Sequence, residues 1–355
     1  MNLFDKLLHV KLEERKSKGI LRKLKNYDGL VDFSSNDFLG LATQNQSGAT
    51  GSRLISGNFV ELEHLEYSFA EKLGAKAALY YNSGYMANIG VIPVISDRST
   101  TIFSDELIHA SLRDGIRLSH AKHHVFPHND LKKLAKTLAE TDGKKIIVVE
   151  SVYSMDGDSP DLSLLFDLAK QFDAGVLIDE AHGMGLSGKY NLGQAQQFIH
   201  HPNCIAVVYP LGKSAGLSGA FVVGSEVLKQ YLINFSRSFI YTTAPSKKLI
   251  EQLKEQLANL YSKDISVIDK LKNQFILSIN PHYSFITGDY SAVVGLLTGE
   301  KTLEIEAELL KQNLFVKAIL APTVRKGKER IRICFHDFNT LNEIKLLVNI
   351  LNNMV

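Results

Sequence analysis

Ile146-Ile-Val-Val-Glu150, then Leu162-Ser-Leu-Leu-Phe-Asp-Leu-Ala-Lys-Gln-Phe172, then Gly175-Val-Leu-Ile-Asp179 run from an apolar β-rich segment through a helical one into a second apolar β-rich segment. The two β-rich segments carry apolar residues almost throughout instead of alternating with polar ones, as expected of strands covered by helices on both faces. The same alternation reaches back to Ala77, through Ala78 to Tyr81, Thr101 to Phe103 and the helical Asp130 to Thr141. It reads as βαβ units in a largely parallel sheet. Polar residues that act together are then expected at the C-terminal ends of the strands.

Beyond Ser246 the pattern changes to a long helical region rich in Lys, Leu and Glu. Ser284 to Leu297, a helix over Glu304 to Gln312, strand-like Arg330 to Phe335 and a last helix over Leu341 to Asn352 follow. The expected organisation is an N-terminal helical segment at 1–35, a large α/β domain at 36–246 and a smaller α+β domain at 247–355. A chain of 355 residues exceeds the size at which one core stops growing, which agrees with two domains.

Composition narrows the class. The chain is 45% hydrophobic and 22% charged, as in ordinary globular proteins, and its apolar runs are too short to span a bilayer. Forty Lys and Arg against 38 Asp and Glu leave a formal charge of +2, too little for the electrostatic footprint of a nucleic-acid binder. Cys204 and Cys334 stand far apart and suggest neither a disulfide framework nor a cysteine metal site. Met1 to Lys18 mixes Leu8, Val10 and Leu12 with Lys6, Lys11 and Arg15, which suits an amphipathic helix better than a signal peptide. A cytoplasmic location is expected.

Three motifs lack the context they need. Gly183-Met-Gly-Leu-Ser-Gly188 has the spacing of a dinucleotide loop, but Asp179-Glu-Ala-His182 separates it from the strand and no helix follows. Gly212-Lys-Ser214 resembles the tail of a phosphate loop, yet Val207 stands where that loop requires glycine. The His123-His124 and His200-His201 pairs are adjacent residues that point to different sides, without an accompanying ligand cluster.

What remains is a series of polar residues, each following a strand: Ser154 after Ile146 to Glu150, Asp179 and His182 after Val176 to Ile178, and Lys213 after Ile205 to Tyr209. A parallel sheet brings such positions to one rim. Lys213 is flanked by Gly212, Ser214, Ala215 and Gly216, which leaves room for a planar ligand, although an exposed loop lysine explains the pattern as well. Asp179, ending an apolar strand, needs a partner, and it can hold a pyridine nitrogen protonated or serve as a capping carboxylate.

Read together, Asp32-Phe-Ser-Ser-Asn-Asp-Phe-Leu-Gly-Leu41, Gly51-Ser-Arg-Leu-Ile-Ser-Gly-Asn58, Asn82-Ser-Gly-Tyr-Met-Ala-Asn88, Asp105-Glu-Leu-Ile-His-Ala-Ser111, Ser154-Met-Asp-Gly-Asp158, Asp179-Glu-Ala-His-Gly183 and Leu211-Gly-Lys-Ser-Ala-Gly-Leu-Ser-Gly219 occur in an order that resembles the α-oxoamine synthase family of fold-type I pyridoxal 5'-phosphate (PLP) enzymes. The resemblance runs over nearly the whole chain. It implies a PLP-dependent transferase with a mostly parallel central sheet flanked by helices and a smaller α+β domain. The implied reaction condenses an amino acid with an acyl-CoA or acyl carrier protein thioester, with loss of carbon dioxide.

Within the family the motifs are most like the biotin-pathway member, so L-alanine and a pimeloyl thioester are the expected pair. The resemblance further implies that Lys213 forms the Schiff base, Asp179 pairs with the pyridinium nitrogen, His109 stacks on the ring, His182 bonds its 3-oxygen and Ser154 lies beside it. Ser83, Gly84 and Tyr85 would receive the phosphate, where a turn entering a helix presents free N–H groups. Thr242 and Thr243 would reach the phosphate of a neighbouring subunit in a homodimer. Asn36, Arg332 and Arg22 are the implied substrate contacts, Arg332 on the amino acid's carboxylate and Arg22 on the far carboxyl of the acyl chain. Two positions depart from the family pattern: Pro210 stands where a phosphate-binding Thr or Ser is usual, and Arg325 where proline is common.

Overall fold

The structure, a computed structural model, describes residues 3–26, 34, 36 and 48–354. Seven strands form the larger sheet: β1 (Ala77–Tyr81), β2 (Thr100–Asp105), β3 (Lys122–Phe126), β4 (Lys144–Glu150), β5 (Ala174–Asp179), β6 (Cys204–Pro210) and β7 (Ala220–Gly224). Their order is β1-β7-β6-β5-β4-β2-β3. β2 pairs in parallel with β3 and β4, β4 with β5, and β5 with β6, while β7 runs against both β6 and β1. The sheet is therefore parallel except for one strand.

The strands are apolar because both faces are covered. Ile147, Val149, Val176, Ile178, Val207 and Tyr209 face one core, into which helices Val60–Leu73, Leu131–Ala139 and Leu162–Gln171 also pack. Their neighbours Ile146, Val148, Leu177, Ala206 and Val208 face the other, with helices Gly84–Ile95, Ala110–Ser119 and Glu226–Phe235. Successive side chains alternate between these cores, as the two-residue period of a strand requires. Helix Leu3–Ser17 adds Phe4, Leu8 and Leu12 to the second core, so its apolar stripe is a packing face.

The strands expected in the larger sheet are present with ends within two residues of the sequence reading, while β3 and β7 were not read from the sequence pattern. β3 is an edge strand whose Lys122 to Val125 are exposed. Its adjacent histidines diverge: His123 Nε2 lies 2.8 Å from Ser104 Oγ, and His124 stacks on Phe103.

The second sheet, β8 (Ser284–Ile286), β9 (Val293–Leu297), β10 (Lys317–Ile319) and β11 (Arg330–Cys334), is antiparallel in the order β10-β11-β9-β8. Helices Ser266–Ser278, Thr302–Lys311 and Leu341–Asn352 build a separate core on it through Phe275, Ile305, Leu309, Ile344 and Leu351. Helix Lys247–Ser262, expected to open this smaller domain, instead places Ile250, Leu253, Leu257 and Leu260 in the core of the larger sheet. Each such burial contributes about 1.5–3 kcal/mol, which assigns that helix to the larger unit and moves the start of the smaller core beyond residue 262.

Candidate active site

The parallel strands end together, and the chain at the ends of five of them, β1, β2, β4, β5 and β6, lines one cavity of about 380 Å³. From β1 come Asn82, Ser83, Gly84 and Tyr85, from the segment after β2 His109 and Ser111, from β4 Glu150, from β5 Asp179 and His182, and from β6 Pro210 and Lys213. Seven expected residues, Ser83, Gly84, Tyr85, His109, Asp179, His182 and Lys213, thus meet although the chain separates the first from the last by 130 positions.

Asp179 is fully enclosed, and Glu150 stands opposite it in register on β4. Asp179 Oδ2 accepts from Asn88 Nδ2 at 2.7 Å and Oδ1 from the Ala181 amide at 2.9 Å. Burial still raises its pKa above the usual carboxylate range, against the lowering effect of Asn88, of the Lys213 charge and of the Ala181 amide. Glu150 accepts the His109 amide at 2.5 Å, and burial together with the Asp179 charge pushes its pKa well up. More donors are aimed at Asp179 than at Glu150, which favours the negative charge on Asp179. No ion pair to Asp179 is found among the described residues. A buried carboxylate facing a cavity without a cationic partner is the counterpart of a protonated ring nitrogen.

One chain of hydrogen bonds orients the neighbours. Asn88 Nδ2 also donates to Ser111 Oγ at 2.9 Å, Ser111 Oγ lies 2.7 Å from His109 Nδ1, and the Ser111 amide donates to that nitrogen at 3.2 Å. An acceptor Nδ1 leaves the His109 proton on Nε2. Burial, followed by the charges of Lys213 and Arg332, lowers the His182 pKa to about 3, so its imidazole is neutral at pH 7. Asn88, within a quoted motif but given no role from sequence, joins both sides of the site. Its signal was a buried amide in the otherwise apolar helix Gly84–Ile95.

Ser83 caps that helix, its hydroxyl accepting from the Met86 amide at 3.2 Å, and the positive end of the helix dipole at this turn would favour an anion. Pro210 packs on this turn: a Cβ on Gly84 would lie 2.7 Å from Pro210 Cγ. The turn at the helix N-terminus, buried Asp179, the His109 ring and Lys213 together fit PLP.

Six expected residues do not line the cavity. Ser154 turns its carbonyl to Arg332 Nε, at 2.7 Å, which holds Arg332 at the edge of the site where its charge acts on His182. Thr242 and Thr243 lie against Asn82 of their own chain, which donates to the Thr243 carbonyl at 2.7 Å and to Thr242 Oγ1 at 3.3 Å. Asn36 donates to the Thr50 carbonyl at 2.8 Å, and most of the motif around it falls outside the described residues. Arg22 is clasped to Asn234: its Nη1 donates to the Asn234 carbonyl at 2.7 Å, its amide to Oδ1 at 2.8 Å, and Asn234 Nδ2 returns a bond to its carbonyl.

The family Aminotransferase class I and II matches residues 28–345. The 8-amino-7-oxononanoate synthase of Herminiimonas arsenicoxydans is 36% identical over 346 residues, covering 90% of this chain and 88% of that one. The chain belongs to the α-oxoamine synthases. A solved 8-amino-7-oxononanoate synthase from Francisella tularensis is similar to this α-oxoamine synthase at 27% identity, with a TM-score of 0.75 over 92% of this chain and 98% of that chain. A chain described as SPT with PLP superposes with a TM-score of 0.81 at 25% identity, over 88% of this chain and 81% of that one. This α-oxoamine synthase is a PLP-dependent acyltransferase, and its cavity is where the cofactor fits. No helix among the described residues is long and apolar enough to cross a membrane.

Proposed function

We propose that this α-oxoamine synthase joins L-alanine to a pimeloyl thioester, carried on CoA or on acyl carrier protein, to give 8-amino-7-oxononanoate for biotin synthesis. The observation that carries this reading is the 36% identity, over nine-tenths of the chain, to a relative named for that product. PLP, when bound, supplies the electron sink that makes the amino acid's α-carbon acidic. Lys213 is the residue to hold it covalently and, once exchanged for the substrate amine, to take the α-proton at Nζ. Asp179 keeps the ring nitrogen protonated, and neutral His182 donates to the ring's 3-oxygen.

Arg332, with Nε on the Ser154 carbonyl, offers its remaining fork to the amino acid's carboxylate. In balance, the α-carbon loses a proton and bonds the acyl carbon, the carbon–sulfur bond breaks to release the thiol, the carboxylate leaves as carbon dioxide, and a proton returns to the α-carbon. Asn36 belongs to the same reading as a substrate-side residue. Arg22 belongs to it as well, on the far carboxyl of the acyl chain: its Nη1 donates to the Asn234 carbonyl, and the same guanidinium carries further N–H donors.

The reading includes a homodimer in which Thr242 and Thr243, placed beside the phosphate turn by Asn82, complete the phosphate site across a two-fold axis. Carbon dioxide and free thiol should appear together with L-alanine and pimeloyl-CoA. Faster turnover of glycine with acetyl-CoA, or of serine with a long-chain acyl-CoA, would refute the substrate pair. A monomer that keeps full activity on dilution would refute the shared site.

A further inference from the structure

The segment Ser154-Met-Asp-Gly-Asp158 belongs to the larger domain, yet it is the bearing on which the smaller one rests. Gly157, at φ +73, has no space for a side chain: a Cβ there would lie 2.6 Å from both the Val293 carbonyl and Ser291 Oγ. Asp156 pairs with Arg330, both almost fully buried, and the Ser154 carbonyl receives Arg332 Nε at 2.7 Å. Residues two apart on a strand share a face, so both arginines of β11 meet this one loop. Wherever the loop sits, the Arg332 fork follows.

The loop is tied to the larger domain by His128. His128 Nε2 lies 2.7 Å from Asp158 Oδ2, and Nδ1 lies 2.9 Å and 3.1 Å from the two oxygens of Asp105, which is fully buried at the end of β2. Asn129 adds a bond from Nδ2 to Asp158 Oδ2 at 2.8 Å, and the Tyr153 ring meets the imidazole edge-on. A neutral ring can donate from only one nitrogen, and here both face carboxylates, so the bound form is the cation. The pKa agrees: burial opposes the charge, but the hydrogen bonds and charges of Asp105 and Asp158 more than offset it and raise the value to about 9.

Glu106, whose Oε1 accepts the His128 amide at 3.1 Å and whose other oxygen pairs with Arg325, completes the charged surroundings, together with Asp156 and Arg330 beyond Asp158. His128, Asp156 and Asp158 stand close enough to hold a metal ion, but Asp156 is engaged by Arg330 and both His128 nitrogens by carboxylates. The cluster is a cationic rivet between two anionic segments.

We propose that His128 is a positioning residue for substrate recognition: clamped between Asp105 and Asp158, it fixes the 154–158 loop and through it sets the Arg332 fork that receives the amino acid's carboxylate. This rests on the reading of Arg332 given above. A displacement of about 1 Å in such a contact can cost on the order of a hundredfold.

The test titrates PLP-loaded protein, following the cofactor's absorbance, with whichever of glycine, L-alanine and L-serine the wild type binds most tightly, and with the amide of that amino acid, which lacks the carboxylate. Arg332→Ala, His128→Gln and the double variant are compared. The expected result is that each single change weakens the amino acid roughly tenfold or more and leaves the amide unaffected, while the double variant is no worse than Arg332→Ala alone, as two groups acting through one contact require. If Arg332→Ala weakens the amino acid but His128→Gln does not, or weakens acid and amide alike, the proposal is overturned and the role of Arg332 stands. If Arg332→Ala changes nothing, the reading of Arg332 falls and the proposal with it. Should His128→Gln fail to fold or to hold cofactor, Asp158→Asn, which keeps an acceptor for the ring but removes the charge, is judged by the same criteria.

Discussion

In the proposed reading Asp179 and Lys213 set the chemistry at the scale of single residues, and Asn88 holds the first of them in place. Borohydride treatment of the loaded protein is expected to fix the cofactor to Lys213, and peptide mass mapping checks it; label on another lysine contradicts the assignment. Asn88→Leu removes a hydrogen bond to a buried carboxylate, a contact worth about 1.5–3 kcal/mol. Since burial already raises the Asp179 pKa, the variant should hold a larger neutral fraction and bind PLP roughly ten- to a hundredfold more weakly, read by fluorescence titration. Unchanged affinity would show that Asp179 does not need that donor. Lys213 and Asp179 could be picked out of the sequence because each follows an apolar strand, whereas Asn88 could not be given a role until the helix carrying it was placed across the sheet.

Strand ends and the turns leaving them decide which polar residues reach the cavity. Asp179 and Glu180 are neighbours, but Glu180 turns away, accepting from Ser151 Oγ at 2.5 Å and from the Ala195 amide, with burial raising its pKa to about 7. It pins the Gly193–Ala195 turn and takes no part in the cavity lining. The turn into helix Gly84–Ile95 is equally specific: Gly84→Ala would set a methyl 2.7 Å from Pro210 Cγ and 2.8 Å from its Cβ. PLP affinity should fall in that variant, and adding Pro210→Gly should recover most of it, because the obstruction is removed. An equilibrium cofactor titration measures both, and a double variant as weak as the single would show that the methyl blocks the phosphate itself.

At the scale of the whole molecule the two cores meet through buried charge. His128 has a folded-state pKa raised to about 9 against an ordinary 6.5, so its clamp stabilises the fold fully below about pH 6.5 and that contribution fades as pH rises through 9. The shift corresponds to about 1–3 kcal/mol once partial solvent screening is allowed for. Thermal unfolding of wild type and His128→Gln should therefore differ most near pH 6 and converge by pH 10; a constant difference across that range would rule out the charged form. Gly157→Ala acts on the same seam from the other side, where a methyl meets the Val293 carbonyl and φ is +73, and it should lower the melting temperature without touching the cavity lining.

Ile146 to Glu150 and Gly175 to Ile178 declared themselves as doubly covered strands because local apolar runs encode burial, and the order of the motifs along the chain named the family. Lys213, Asp179 and His182 were legible because each follows an apolar strand, and His109 through the resemblance of its motif to the family's. Tertiary structure alone turned the Ser154 carbonyl to Arg332, clasped Arg22 to Asn234, moved helix Lys247–Ser262 into the larger core and brought His128 between Asp105 and Asp158. Those contacts join segments from 23 to 212 positions apart, and some depend on which of two faces a residue's parity gives it. Periodicity fixes what is buried, but only the packing of the complete chain chooses the partner.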